Sequence, residues 1–230
     1  MPTLAAVRDG KFPFADAFRL RAAYLWLWAT GGIDPSFIVR SSFGGEDEPG
    51  RLSPGQYQSY STGTPFKKLL ATVRECWCSY FTARAFAYRE NMGLAHEPRL
   101  SFIIQHHVRA DLMGTAAGAD PVTGFREKMV LDVAAPPEDE PHAVSEQGEA
   151  ETAIYDTALC FPEPPADSRF PFLAELHAGL RKLERAYGFP ALVEWAWSRG
   201  TLCFLQLRPL ESLPNAETYI AAGMAEVTSE

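Results

Sequence analysis

Long apolar runs are missing from this chain of 230 residues: the longest candidate, Tyr24 to Thr30, falls far short of the roughly 18 residues that a membrane-spanning helix needs. A secretory leader is not expected either, because Arg8, Asp9 and Lys11 interrupt the start before any apolar stretch develops. Cysteine is sparse, and Cys76, Cys78, Cys160 and Cys203 lack the paired short intervals of a structural zinc site. Reduced thiols and a cytoplasmic location are the expectation. Positive charge is in deficit: 21 basic against 29 acidic side chains leave a net charge of -8, which opposes nonspecific binding to nucleic acid or to anionic membranes. Both glycine-rich nucleotide signatures, the P-loop and GxGxxG, are absent, as are internal repeats.

What is there reads as an ordinary globular composition, 47% hydrophobic and 22% charged, long enough for one or two units with real cores. Apolar spacing predicts a helix over Phe14 to Thr30, stopped by Gly31-Gly32 and buried on much of its circumference. Phe37 to Ser41 reads as a strand leading into a polar glycine segment, Gly44 to Gly55. Pro65 through Asn91 has helical periodicity, as one helix bent near Ser79 or two in succession, with Pro65 in the first turn. Leu100 to Arg109, Thr115 to Ala119 and Lys128 to Ala134 read as strands, with Asp120 to Gly124 as a turn. Pro136 to Ala150 reads as an exposed loop, and Phe170 to Tyr187 as an amphipathic helix with Leu173, Leu176, Leu180 and Leu183 on one face.

Near the C-terminus, Leu192 to Trp197 and Leu202 to Leu207 form a hairpin around Ser198-Arg199-Gly200. A three-residue loop pairs Glu194 with Phe204 and leaves Gln206 diagonal to Glu194 on the same face. Glu194, Gln206 and Arg208 are an unusual polar series in strands that otherwise read as core. Two readings are open: a structural ion pair of Glu194 with Arg208, or oxygen ligands for Mg²⁺ beside a phosphate-binding arginine. Val39-Arg40-Ser41-Ser42-Phe43-Gly44-Gly45-Glu46-Asp47 carries an arginine out of a strand into a glycine loop, which suits either phosphate contact or an ordinary turn.

Taken together these segments resemble the phosphoenolpyruvate synthase and pyruvate phosphate dikinase family. Val39 to Asp47 is similar to its V-R-S-S-A-x-x-E-D motif, Gly55-Gln56 to the A-G-Q that follows, and Arg74 to Glu90 to R-C-W-A-S-L-F-x-x-R-A-x-x-Y-R. Phe102 to Gly124 resembles V-x-V-Q-x-M-V followed by G-V-x-F-T-x-D-P-x-T-G, and Val193 to Ala196 with Leu205 to Pro209 resembles I-E-W-A and L-Q-x-R-P.

The resemblance implies an α/β (α+β) fold with an ATP-grasp-like mixed sheet and flanking helices. It divides the chain into a helical segment over 1–32, a partial ATP-grasp domain over 33–210 and a tail over 211–230. The family places ATP between two subdomains and passes a phosphoryl group to a histidine on a separate swivelling domain. Carried over by position, Arg40 and Arg208 contact phosphate, Glu194 and Gln206 hold Mg²⁺, and Gln105, His106, His107 and Val108 border the adenine through main-chain groups. Arg84 and Arg89 brace their helix. His106 and His107 read as packed or surface side chains and not as a phosphohistidine.

Two departures stand out: the G-G-K-G-x-N-L stretch has no counterpart before Arg40, and Ala135-Pro136-Pro137-Glu138 replaces the expected G-L-G-E turn. The mobile histidine motif T-x-G-G-x-x-S-H is also absent. The expected role is therefore the ATP-binding subunit of a phosphotransferase whose second polypeptide supplies the remaining lobe and the acceptor, or a homo-oligomer. The alternative is a degenerate, non-catalytic binding or scaffold subunit.

Overall fold

Two separate cores organise the chain, one within Met1–His107 and one within Val108–Glu230. The computed structural model describes residues 4–31, 36–42, 60–62, 65–91, 93, 100–136, 151–156, 167, 169–210 and 213. The glycine segment from position 43, the loop from position 137, Cys160 and the tail from position 214 lie outside the described residues. Among those described, no helix is long and apolar enough to cross a membrane.

In the first unit, α1 (Leu4–Asp9) and α2 (Phe14–Thr30) precede β1 (Phe37–Ser41), β2 (Tyr60–Thr62), α3 (Phe66–Ser79), α4 (Ala83–Asn91) and β3 (Phe102–His106). The strands form an antiparallel sheet in the order β2-β1-β3. Helix α3 buries Leu69, Thr72, Val73 and Cys76, which recur at helical spacing, against Phe37 and Val39 of β1. Pro65 is its N-cap, one position before the first turn, and its carbonyl accepts from Lys68 and Leu69.

Of the two helical forms open to 65–91, the chain adopts two helices in succession. Thr82 ends the first by donating to the Ser79 carbonyl at 3.0 Å and starts the second by accepting from the Ala85 amide at 3.3 Å. Arg89 braces that turn as expected. It is only 4% exposed, donates to the Tyr80 carbonyl at 2.8 Å and lies 3.7 Å from the centre of the Tyr80 ring.

Helix α2 has the expected span but not the expected burial. Tyr24 is its one buried residue among those described, whereas Phe14, Phe18, Leu25, Trp26 and Trp28 are exposed. The helix meets the core along a narrow edge made by Tyr24 and Leu27, three residues apart, so its other faces are not used there.

The second unit runs β4 (Leu112–Ala117), β5 (Lys128–Ala134), β6 (Glu151–Asp156), α5 (Leu173–Tyr187), β7 (Ala191–Ser198) and β8 (Thr201–Pro209). Its five strands are antiparallel in the order β6-β5-β4-β7-β8. The α+β class is therefore present, and all described strand pairings are antiparallel. Leu173, Leu176 and Leu180 of α5 pack on Met129, Leu131, Val133, Val193 and Trp195, and full burial of each large side chain contributes about 1.5–3 kcal/mol. Gly188 closes α5 in the left-handed conformation, φ 79°, which spares the Cβ clash another residue would meet. The turn at Asp120 forms as read, its carboxylate accepting from the Val122 amide at 2.8 Å.

Candidate functional site

The hairpin differs from the sequence expectation in one decisive way. Its loop has two residues, Arg199 and Gly200, both at positive φ (49° and 81°), so Ser198 pairs with Thr201. That register alone would set Glu194 against Leu205 and send Gln206 to the opposite face. A β-bulge between Glu194 and Trp195 takes up one residue on the facing strand and restores the match: Trp195 pairs with Phe204, and Glu194 pairs directly with Gln206.

Side chains opposite one another on antiparallel strands share a face with Cβ atoms about 4.5–5.5 Å apart. Glu194 and Gln206 thus present two oxygen donors side by side on the face turned away from α5. Arg208, two residues beyond Gln206 and paired with Leu192, follows on the same face about 6.8 Å further along the strand. All three are half-buried.

The register extends this row across the sheet. Thr115 of β4 pairs with Glu194 on one side and with Asp132 of β5 on the other, and Asp132 pairs with Thr152 of β6. One line of side chains therefore runs Thr152, Asp132, Thr115, Glu194, Gln206. Thr115 Oγ1 donates to Asp132 Oδ2 at 2.9 Å, and Thr152 Oγ1 donates to Asp132 Oδ1 at 2.6 Å. Above and below it the rows are mainly apolar: Ile154, Val130, Ala117 and Leu192 lead to Arg208, while Ala134, Met113 and Ala196 lead to Cys203.

Sequence reasoning missed Thr115, Asp132 and Thr152 as a group. Thr115 occupies the valine position of the resembled G-V-x-F-T segment, and β6 was not expected as a strand. Glu-Thr-Ala-Ile-Tyr-Asp shows no clean apolar alternation, because β6 lies at the sheet edge with only Ala153 and Tyr155 turned inward. Two polar residues on one face of an otherwise apolar strand, Lys128 and Asp132 of β5, were the available signal.

The remaining sequence-assigned residues, Val108 excepted, belong to the first unit. Arg40 is half-buried on β1, the central strand, paired with Ile103. Gln105 pairs with Ile38, and His106 pairs with Phe37, its ring 5.6 Å from the Phe37 ring and its Nε2 3.3 Å from Thr30 Oγ1. His107 Nδ1 lies 3.1 Å from Ser36 Oγ, and its amide donates to the Ser36 carbonyl at 2.9 Å. Both histidines have local packing partners. Val108 is the first residue of the second unit. A cleft of about 750 Å³ in the first unit, walled by Phe12, Trp77, Phe102, Arg74 and Lys11, includes none of the sequence-assigned residues.

As a donor set, Glu194 and Gln206 fit a hard cation. Both offer oxygen, and Mg²⁺ is commonly held by one or two carboxylates together with substrate phosphates and water, unlike zinc with its full set of nitrogen and sulfur ligands. Among the described residues no cluster of three or more His, Cys, Asp or Glu side chains is placed to hold a metal ion. Arg208 on the same face carries a fixed positive charge of the kind that suits a polyphosphate.

Comparison with known proteins gives the same direction. The family model described as pyruvate phosphate dikinase, AMP/ATP-binding domain, matches residues 5–136. A rifampicin phosphotransferase of a Streptomyces species is 27% identical over 234 residues, covering 89% of this chain and 26% of its own length. The rifampicin phosphotransferase of Bacillus subtilis is 26% identical, covering 94% of this chain and 28% of its own. A phosphoenolpyruvate synthase of Pyrococcus furiosus is 25% identical, covering 92% and 30%. This chain thus spans between a quarter and a third of the length of these curated relatives.

Proposed function

From the fact that the chain belongs to the pyruvate phosphate dikinase AMP/ATP-binding domain family, we propose that it binds ATP with Mg²⁺ and feeds a phosphoryl group to a histidine or another acceptor on a partner chain. Its binding of ATP follows the family; the cation, the transfer and the partner are the proposal. The observation that carries it is the direct pairing of Glu194 with Gln206, with Arg208 on the same face. In this reading Glu194 and Gln206 would hold the cation, and Arg208 would bind phosphate through its guanidinium fork; the sequence resemblance gives Arg40 of the first unit a phosphate contact as well. Gln105, His106, His107 and Val108 border the base through their main-chain groups. Bound Mg²⁺ would supply charge neutralisation as the terminal phosphoryl group leaves. Relatives named for rifampicin and for phosphoenolpyruvate share similarity to this portion, which fits an acceptor chosen outside it.

A second reading, a non-catalytic binding or scaffold subunit, draws support from the exposed aromatic side chains of α2. One titration separates the two. A ligand that binds the folded state stabilises it by about 2.7 kcal/mol at a hundredfold excess over Kd. Mg-ATP should therefore raise the melting temperature of the wild type, less so after chelation of Mg²⁺, and barely at all for Glu194→Ala or Arg208→Ala. A wild type unmoved by millimolar Mg-ATP would leave the scaffold reading standing alone.

A further inference from the structure

Asp132 stands in the middle of the polar row with no part in the proposed nucleotide contacts. Aspartate is depleted in strands, and β5 is an interior strand, so this carboxylate needs a reason to be there. We propose that Asp132 is a positioning residue: it fixes the Thr115 hydroxyl so that an oxygen lone pair, and not the proton, faces the ground beside Glu194, where it accepts a hydrogen bond from a water on the nucleotide-bound cation. This inference rests on the Mg-nucleotide reading above.

The proton inventory carries the argument. An ionised carboxylate only accepts, so a hydroxyl bonded to it must donate. Asp132 receives such bonds from both sides, from Thr115 at 2.9 Å and from Thr152 at 2.6 Å. Thr115 has one proton, which points along the row toward β5, and its lone pairs are left for the other directions. In the opposite direction along the row its register neighbour is Glu194. If the proton turned that way it would compete with the cation for a Glu194 oxygen; committed to Asp132, it does not.

Mg²⁺ gives up its water reluctantly and usually keeps several molecules, each a strong donor in need of an acceptor. Thr115 Oγ1 lies one strand from Glu194 and within the same row, where such a water would be met. Outer contacts of this kind tune metal sites without touching the metal.

The test uses the full chain with ADP and Mn²⁺ as a paramagnetic probe of the Mg²⁺ position. Free Mn²⁺ is followed by electron spin resonance, and water on bound Mn²⁺ by proton relaxation. Thr115→Val and Asp132→Asn should each weaken Mn²⁺ binding about three- to tenfold and alter the relaxation of bound water. Thr115→Ser, which keeps the hydroxyl, should restore wild-type values, and Thr152→Val should change little because Thr152 lies beyond Asp132, three strands from Glu194. A purely structural pair would lower the melting temperature and leave the Mn²⁺ readouts of the folded variants alone. Wild-type Mn²⁺ affinity and water relaxation in Thr115→Val and Asp132→Asn, alongside loss of binding in Glu194→Gln, would overturn the positioning role while the metal site stood. If the wild type takes up no Mn²⁺ with ADP, the nucleotide reading and this inference fall together.

Discussion

Gly114 shows how tightly the second unit's sheet is drawn around Trp195. A Cβ on Gly114 would lie 1.8 Å from the Asp132 carbonyl oxygen and 3.2 Å from Trp195 Cζ2, and a backbone atom cannot step aside as a side-chain tip can. Gly114→Ala should therefore destabilise the protein by about 1–3 kcal/mol, read as a lower urea midpoint at unchanged slope. An unchanged midpoint would mean that β4 and β5 relax apart without cost. The same substitution displaces the main chain of Asp132, the residue proposed to orient Thr115. At this scale, residue type was legible in β7 and β8, where Glu194, Gln206 and Arg208 interrupt apolar strands, but Asp132 interrupts β5 in the same way and was missed. Thr115 did not, because a threonine in a strand is unremarkable until its hydroxyl partner is known.

Helix α5 offers a pH-sensitive contact. Burial holds the His177 imidazole below its usual value near 6.5, the Arg181 guanidinium adds to that, and the Glu184 carboxylate opposes it. Arg181 Nε points at His177 Nε2 from 3.5 Å, a contact suited to the neutral ring. Because the folded value is depressed, the unfolded chain takes up a proton first as pH falls. The stability contributed by His177 is thus present above about 6.5 and is lost as pH drops through the folded value. His177→Gln should flatten the loss of stability between about pH 7 and pH 5 in urea titrations; an unaltered slope would assign the effect to other groups. The edge strand β6 is tied down separately, since Tyr155 donates to Asp167 at 3.0 Å and Arg169 pairs with both Asp167 and Glu151. Helices were read well from periodicity, α3 and α5 especially, because each buries one continuous stripe. The hairpin register was not, since a bulge leaves no mark in the pattern of residue types.

For the whole molecule, the consequence of two cores is separable stability. Leu69 and Leu176 are both fully buried, one in each core. Leu69→Ala and Leu176→Ala should each cost about 2–5 kcal/mol, with faster amide exchange confined to the unit that carries the change. Exchange in β7 and β8 that quickens equally in Leu69→Ala would show that the two units unfold as one. The exposed Phe14, Phe18 and Trp26 of α2 belong to the same scale, since large apolar side chains left in solvent are the kind of surface on which protein contacts form.

The sequence by itself determined the elements that bury a single stripe, the family, and the polar series Glu194, Gln206 and Arg208 in strands that otherwise read as core, because each is a matter of local spacing and residue chemistry. Tertiary structure alone decided which of those residues stand face to face. Alignment across five strands depends on register, and register on a bulge, a two-residue turn and the packing of Trp195 over Gly114. A shift of one residue turns every side chain of a strand to the other face, so no reading of single segments could have drawn Thr152, Asp132, Thr115, Glu194 and Gln206 into one line.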